Sequence, residues 1–269
     1  MSVLLQISDP HFGTEQAPVM EALAALVQRE RPDLLLLSGD ITQRAQPEEF
    51  AAARAFVNRL GVPLLAIPGN HDIPLLDLRA RCLQPYANHR AAFGDNLEPE
   101  HVASDLLVLC VNTTRPWRHK NGAVSAAQIE RVATRLERAS AAQLRVVVVH
   151  QPAAVLRAQD RHDRLRGSAA ALARWAAAGA DLVMGGHIHL PYVMALPGLA
   201  RPLWAVQAGT AVSSRVREGI PNSVNIVRWE PGRGDGGCAI EQWDHAATAA
   251  AFVCARVTRV APERSGHAR

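Results

Sequence analysis

Short runs of Val, Leu and Ile alternate along this chain with longer stretches in which apolar residues recur every three or four positions. The runs at 3–8, 34–38, 64–67, 106–111, 145–149, 182–184, 203–207 and 224–229 are nearly unbroken in apolar character. Strands covered on both faces read this way. Between them, 18–30 carries Val19, Leu23, Leu26 and Val27 at helical spacing. Residues 46–60 open with Pro47, Glu48 and Glu49, a proline and acids suited to a helix N-terminus, and Gly61 supplies the stop. Residues 125–139 begin with Ser125 and Gln128 in a capping-box pattern, and 168–178 is alanine-rich and ends before Gly179.

This alternation predicts an α/β fold with parallel pairing in at least part of the sheet. Residues 1–261 read as one domain and 262–269 as a flexible basic C-terminal tail. The glycine-rich stretch from Pro231 to Gly237 reads as a turn or hairpin loop. Two polar stretches, 75–100 and 157–166, break the alternation, and each follows a run that ends in candidate chemistry.

Composition narrows the picture. Of the 269 residues 48% are hydrophobic, enough for a sizeable core. The formal net charge is +4, with cations scattered rather than clustered, so no nucleic acid polymer is expected as a partner. No stretch approaches eighteen apolar residues, so no membrane span is expected. The N-terminus enters a strand-like run at once, without a basic leader or small-residue cleavage site, and a cytoplasmic location is expected. Cys82, Cys110, Cys238 and Cys254 show no CxxC spacing. Cys110 lies in an apolar run and reads as core, a Cys238–Cys254 pairing is left open, and so is a homodimer.

Five motifs follow strand-like runs: Asp9, Pro10 and His11; Gly39 and Asp40; Gly69, Asn70, His71 and Asp72; His150; and Gly185, Gly186, His187, Ile188 and His189. In open α/β sheets ligands collect outside the carboxyl ends of strands, the address all five share. Carboxylate, imidazole and amide oxygen without thiolate suit manganese, iron or zinc better than a structural cysteine site. An aspartate after glycine, as at Asp40, is suited to bridging two cations. Dipeptide spacing would let an extended backbone send Asp9 and His11, or His187 and His189, to one face. Glycines at 39, 69, 185 and 186 permit positive φ and close backbone approach. Two divalent ions against two carboxylates leave an excess of about +2, which favours a phosphate, and two such ions can clamp a phosphoryl group and activate a water. Taken singly, each residue also has a structural reading: His150 as core, Asp9 and Asp72 as turn caps, Gly185 and Gly186 as a turn.

In this order the motifs resemble the calcineurin-like metallophosphoesterase superfamily, over residues 9 to 189. The stretch from Ala208, Gly209 and Thr210 to Asn222 and Asn225 resembles the C-terminal strands of its bacterial class III cyclic-nucleotide phosphodiesterase branch. The resemblance implies a four-layer αββα sandwich of two mixed sheets flanked by helices. It also implies two divalent or mixed-valence metal ions (Mn2+, Fe2+/Fe3+ or Zn2+). Asp9, His11 and His189 would hold one ion, Asn70, His150 and His187 the other, and Asp40 would bridge. His71, oriented by Asp72, would stabilise the phosphate or protonate the leaving group. Gln43 and Arg44 depart from branches that carry an acid after Gly-Asp, and His71 departs from the lipid-A branch, where arginine is usual.

The expected function is hydrolysis of a phosphodiester, a small-molecule phosphate ester, by metal-bound hydroxide, with a cyclic 3′,5′-nucleotide as the favoured substrate. Alternatives are a phosphomonoesterase, a nucleotide-sugar-lipid or glycerophosphodiester hydrolase, a catalytically silent scaffold, and a nuclease. A scaffold should have lost ligands, and none is missing. A nuclease would want a basic groove. A lipid substrate would want an apolar cleft beside the metals, against which the polar loops argue. His89, His101, His119, His162, His245 and His267 have no comparable setting and read as mostly exposed. Arg79, Arg81 and Arg90 read as a solvated helix face ahead of substrate contacts.

Overall fold

The computed structural model describes residues 1–232 and 237–263. The centre of the glycine-rich turn and, from residue 264 on, the tail expected over 262–269 lie outside the described residues, as does His267.

The apolar runs form two six-stranded mixed sheets. In the first, β1 (Ser2–Ile7), β2 (Leu34–Ser38) and β3 (Leu64–Ile67) pair in parallel. The second sheet is built on a parallel set of β5 (Leu106–Cys110), β6 (Leu144–Val148), β7 (Leu182–Gly185) and β9 (Trp204–Gln207), edged by antiparallel β4 (Glu100–Val102) and β8 (Tyr192–Ala195). β10 (Ser223–Trp229) returns antiparallel to β1 in the first sheet and leads to β11 (Cys238–Ala246) and the edge strand β12 (Ala251–Val260).

Alternation along the strands explains the unbroken apolar runs. Leu35 and Leu37 face outward into a core shared with helices α1 (Ala17–Glu30) and α2 (Pro47–Leu60). Leu34 and Leu36 face inward to a central core that also holds Val146, Val148, Leu182 and Met184 of the second sheet. Val147 and Val149 turn the other way, onto α5 (Ala126–Glu137) and α6 (Ser168–Ala177). Every residue on these strands therefore has a buried side, and the layers run helix, sheet, sheet, helix, as the resemblance implies.

Helix boundaries follow local chemistry. Ser125 caps α5, accepting the Gln128 N–H at 3.2 Å while Gln128 Oε1 accepts the Ser125 N–H at 3.0 Å. Gly61 ends α2 at φ 67°. Two short helices, α3 (Leu78–Leu83) and α4 (Ala87–Phe93), occupy the polar stretch after His71.

The structure departs from the sequence reading on several residues there. His89 is buried, not exposed, packed between Phe50 and Phe93. Arg81 is buried too, donating to the carbonyls of Pro74 and Arg118, each at 3.0 Å, and so ties the loop together instead of facing solvent. Cys238 and Cys254 lie on paired strands but face Val260 and Trp243 across the ladder, not each other. No helix among the described residues is long and apolar enough to cross a membrane.

Candidate metal centre

The motif loops leave the carboxyl ends of parallel strands of both sheets: β1, β2 and β3 from the first, β6 and β7 from the second. The loops after β1 and β2 stay paired, with Asp9 N–H donating to Gly39 O and His11 N–H to Asp40 O, both at 3.1 Å. A polar network lies beneath the last motif. Gln6 donates to Ser38 Oγ and to Gly185 O, each at 3.0 Å, Asn225 donates to Gln6 Oε1, and Gln207 donates to Gly186 O. That network satisfies groups that would otherwise be buried and unpaired where the two sheets meet.

All seven expected ligands come together. Asp9, His11 and His189 form one compact group, and Asp40, His150 and His187 another. His11 Nε2 faces His189 Nε2 at 3.2 Å, and His189 Nε2 is 3.4 Å from Asp9 Oδ1. Asp40 reaches toward both groups. Its Oδ1 lies 3.2 Å from His150 Nε2, and its Oδ2 lies 3.9 Å from His11 Nε2. Asn70 Oδ1 lies 3.3 Å from the same His150 nitrogen. His187 is buried with neither ring nitrogen hydrogen-bonded, its Nε2 being 3.6 Å from Asp163 Oδ1.

Backbone carbonyls set three of the imidazoles. His150 Nδ1 lies 2.9 Å from Ser38 O, His189 Nδ1 2.6 Å from Arg215 O, and His71 Nδ1 2.9 Å from Gln43 O. A carbonyl only accepts, so each Nδ1 carries the proton and each Nε2 is turned toward the cluster or the cavity above it. His71 was expected to be oriented by Asp72. Its ring is held by Gln43 O instead, and the Asp72 carboxylate accepts from the N–H groups of Ile41, Thr42 and Gly69 and from Thr42 Oγ1. Asp72 therefore shapes the two loops that carry Asp40 and His71.

The backbone differs from the extended form expected for the dipeptide motifs. Eight described residues other than glycine have positive φ, and five are Asp9, His11, Asp40, His187 and His189. Among the expected glycines only Gly39 has positive φ; a Cβ there would meet His150 Nδ1 at 2.4 Å. Gly69 and Gly186 serve close approach, since a Cβ would lie 2.0 Å from Asp40 N in one case and 1.9 Å from Ser8 Oγ in the other.

The electrostatics follow from two buried carboxylates. Burial works against the Asp9 anion, but the hydrogen bond and charge of His189 outweigh it and bring its pKa down to about 2. Asp40 is likewise held well below the usual range by His150 and His71 despite its burial. Burial disfavours the His150 cation, yet Asp40 raises that imidazole to about 9; burial alone dominates at His11, pushed down to about 3. Buried negative charge thus recruits positive charge onto neighbouring rings. Together with the orphaned nitrogens of His187, this donor set fits divalent cations.

A cavity of ≈ 550 Å³ opens over the cluster. It is lined by His71, His187 and His189 and by residues that the sequence did not single out: Lys120, Asp160, Asp163, Arg215 and Arg217. Asp160 and Asp163 lie in the polar loop flagged after His150; Arg215 and Arg217 carry no local signature. A second cavity of ≈ 420 Å³ shares Asn70, His71 and His119 with the first and is lined by Ile73, Pro74, Leu75 and Leu76. The loop after His71, polar in composition, thus turns apolar residues toward the site. Arg79 and Arg90 line neither cavity.

The family model for calcineurin-like phosphoesterases matches residues 2–191. A glycerophosphodiester phosphodiesterase, GpdQ, of Enterobacter lignolyticus is 41% identical over 83 residues, covering 26% of this chain and 29% of the relative. A probable cyclic nucleotide phosphodiesterase of Synechococcus sp. is 36% identical over 80 residues, 26% of this chain and 31% of that protein. These alignments therefore span less than a third of either relative. The fold matches a dimetal phosphatase from Danio rerio with a TM-score of 0.70 at 12% identity, over 97% of this chain and 99% of that one.

Proposed function

Because this chain belongs to the calcineurin-like phosphoesterase family, we propose that it is a dinuclear metal-dependent phosphodiesterase of the cytoplasm, acting on a cyclic 3′,5′-nucleotide. The position of Asp40 carries the reading: one carboxylate directs one oxygen to the group of His150 and the other to the group of His11. Asp9, His11 and His189 would hold one ion and Asn70, His150 and His187 the other, with Asp40 shared between them. The donors suit manganese, iron or zinc. When bound, the two ions supply Lewis acidity, which draws in the phosphoryl oxygens and lowers the pKa of a water.

The chain's own residues do the rest. The carbonyls of Ser38 and Arg215 aim Nε2 of His150 and His189. His71, with Nδ1 committed to Gln43 O, presents Nε2 to the cavity, where it would stabilise the phosphate or protonate the leaving oxygen. Asp72 keeps the loops of Asp40 and His71 in register through its four hydrogen bonds. The cavity beside His71, where Ile73, Pro74, Leu75 and Leu76 stand among polar side chains, supplies a wall for the alcohol half of the ester.

Replacing Asn70 by Ala should abolish turnover and lower metal occupancy, while His71→Ala should abolish turnover and leave the metals bound. Metal analysis alongside an activity panel makes the test: a cyclic nucleotide, a glycerophosphodiester, a bis-aryl phosphodiester and a phosphomonoester. An active Asn70→Ala protein sinks the ligand assignment, and turnover of the monoester alone sinks the diesterase. A second reading, a glycerophosphodiester substrate, is favoured by the likeness to the Enterobacter protein; preference for that member of the panel would establish it.

A further inference from the structure

Three cationic side chains line the cavity over the cluster, and two of them are already neutralised. Lys120 Nζ lies 2.7 Å from Asp163 Oδ1. Arg217 reaches Asp160 Oδ1 at 3.0 Å and the Ile188 carbonyl at 3.2 Å. Arg215 is different. Its Nη1 donates to Gln43 Oε1 at 2.8 Å and lies 3.3 Å from both His11 Nδ1 and His71 Nε2. It forms no ion pair with any described carboxylate, whereas the two cations beside it each do.

The residue is also well placed. Its N–H donates to Ser213 Oγ at 2.9 Å, and its carbonyl receives His189 Nδ1 at 2.6 Å. The same residue therefore orients one expected ligand through its backbone and spans from His11 to His71 with its side chain. A guanidinium in that place faces the gap between the metal cluster and the imidazole that serves the leaving group, where a phosphoryl oxygen must lie during the reaction.

We propose that Arg215 is a substrate-binding residue that donates N–H bonds to a non-bridging phosphoryl oxygen, and that Gln43 positions it without spending its charge. The proposal rests on the phosphoesterase reading above. The neutral partner is what matters. A carboxylate at position 43, within 2.8 Å of Nη1, would pair with the guanidinium as Asp160 pairs with Arg217, and the phosphate would have to compete with it. The amide holds the same geometry and leaves the full positive charge to the ligand.

The test uses the full chain with inorganic phosphate as probe, read by the phosphate-induced rise in melting temperature and by phosphate inhibition of turnover. Metal content is measured in parallel. Arg215→Gln should weaken phosphate binding and raise KM by about 10- to 100-fold, the loss typical of a charge-assisted hydrogen bond, with metal content unchanged. Arg215→Lys should recover part of that loss. Gln43→Glu should weaken phosphate binding in the same direction while leaving the phosphate-free melting temperature unlowered, which a purely structural role for the contact does not predict. Unchanged phosphate affinity in both Arg215→Gln and Gln43→Glu overturns the proposal, and so does loss of metal in Arg215→Gln. A wild-type protein that turns over the ester panel while these variants match it refutes Arg215 alone. A wild-type protein without turnover refutes the phosphoesterase reading, and the melting shift still reports on Arg215.

Discussion

Of two adjacent glycines, Gly185 and Gly186, only the second should respond strongly to alanine. A Cβ on Gly186 would sit 1.9 Å from Ser8 Oγ and 2.4 Å from Asp9 Oδ2, where side-chain carbons essentially never come within 3.0 Å of such atoms. Ser8 Oγ would have to retreat by roughly 1 Å and the Asp9 carboxylate by about half that, because repulsion rises steeply inside contact distance. Rotating Ser8 away offers no escape, because its hydroxyl donates to Asp9 Oδ2 at 2.6 Å. Metal–ligand bonds tolerate only about 0.2 Å, and disturbing a ligand's supporting hydrogen bond typically costs about 10- to 100-fold in metal affinity. Gly186→Ala should therefore weaken the ion held by Asp9, His11 and His189 by at least that factor and spare the ion held by His150 and His187. It should also destabilise the fold by about 1–3 kcal/mol through overpacking. At Gly185 the nearest atom to a new Cβ is Gln207 Oε1 at 3.1 Å, which a small adjustment accommodates. Gly185→Ala should keep both ions. Metal content after equilibrium dialysis against graded free metal reads the difference, with a thermal melt of each metal-free protein to confirm folding. Equal occupancy and affinity at both sites in Gly186→Ala would refute the reasoning.

Other outcomes follow from the same structure. His89 is buried with neither ring nitrogen hydrogen-bonded, and burial pushes its pKa down to about 4. Between that value and the unfolded value near 6.5 the unfolded chain holds a proton that the folded chain lacks, so stability falls as pH drops through this window, by up to about 3 kcal/mol. His89→Leu should remove that part of the slope and be neutral or stabilising at pH 7; urea melts at pH 7.5 and 5 that move in parallel with wild type would count against it. Ala250 adopts φ 46° in the turn between β11 and β12, so Ala250→Gly should stabilise the protein by about 0.5–1 kcal/mol, read as a rise in melting temperature. A fall would mean that the turn does not hold that conformation.

The parts of this molecule legible in the sequence are those whose local chemistry and tertiary role agree. β2 and β3 were readable because strands buried on both faces leave unbroken apolar runs, and α5 because Ser125 and Gln128 announce its start. β11 and β12 were missed. Their residues are mostly half-buried or exposed, and the turn joining them, from Ala247 to Ala250, contains no glycine, asparagine or proline to mark it. α3 and α4 were missed because six- and seven-residue helices hold too few turns to show a period. The clustering of the expected ligands was legible because each follows an apolar run. Arg215 was not, because no pattern near it in sequence marks it, and only the return of a distant loop to the cavity mouth gives it a role.

The left-handed backbone of Asp9, His11, Asp40, His187 and His189 carries a further consequence. Such conformations cost about 1–3 kcal/mol each in residues with a Cβ and persist only where the surroundings over-determine them. Here the surroundings are identifiable: the backbone bonds from Asp9 and His11 to the loop of Asp40, the two bonds from His187 N–H to the Asp9 carboxylate, and the glutamine–asparagine network under Gly185 and Gly186. The main chain itself turns these side chains toward a common centre, and the side chains only finish the site. Substituting a ligand then removes one donor from an intact cradle, whereas a methyl group on Gly69 or Gly186 presses on the cradle and displaces donors whose own chemistry is unchanged. That distinction explains why glycines belong in these motifs as firmly as the candidate ligands do. Two of the glycines are there for what lies against them, since a positive φ at this site falls mainly on the ligands themselves.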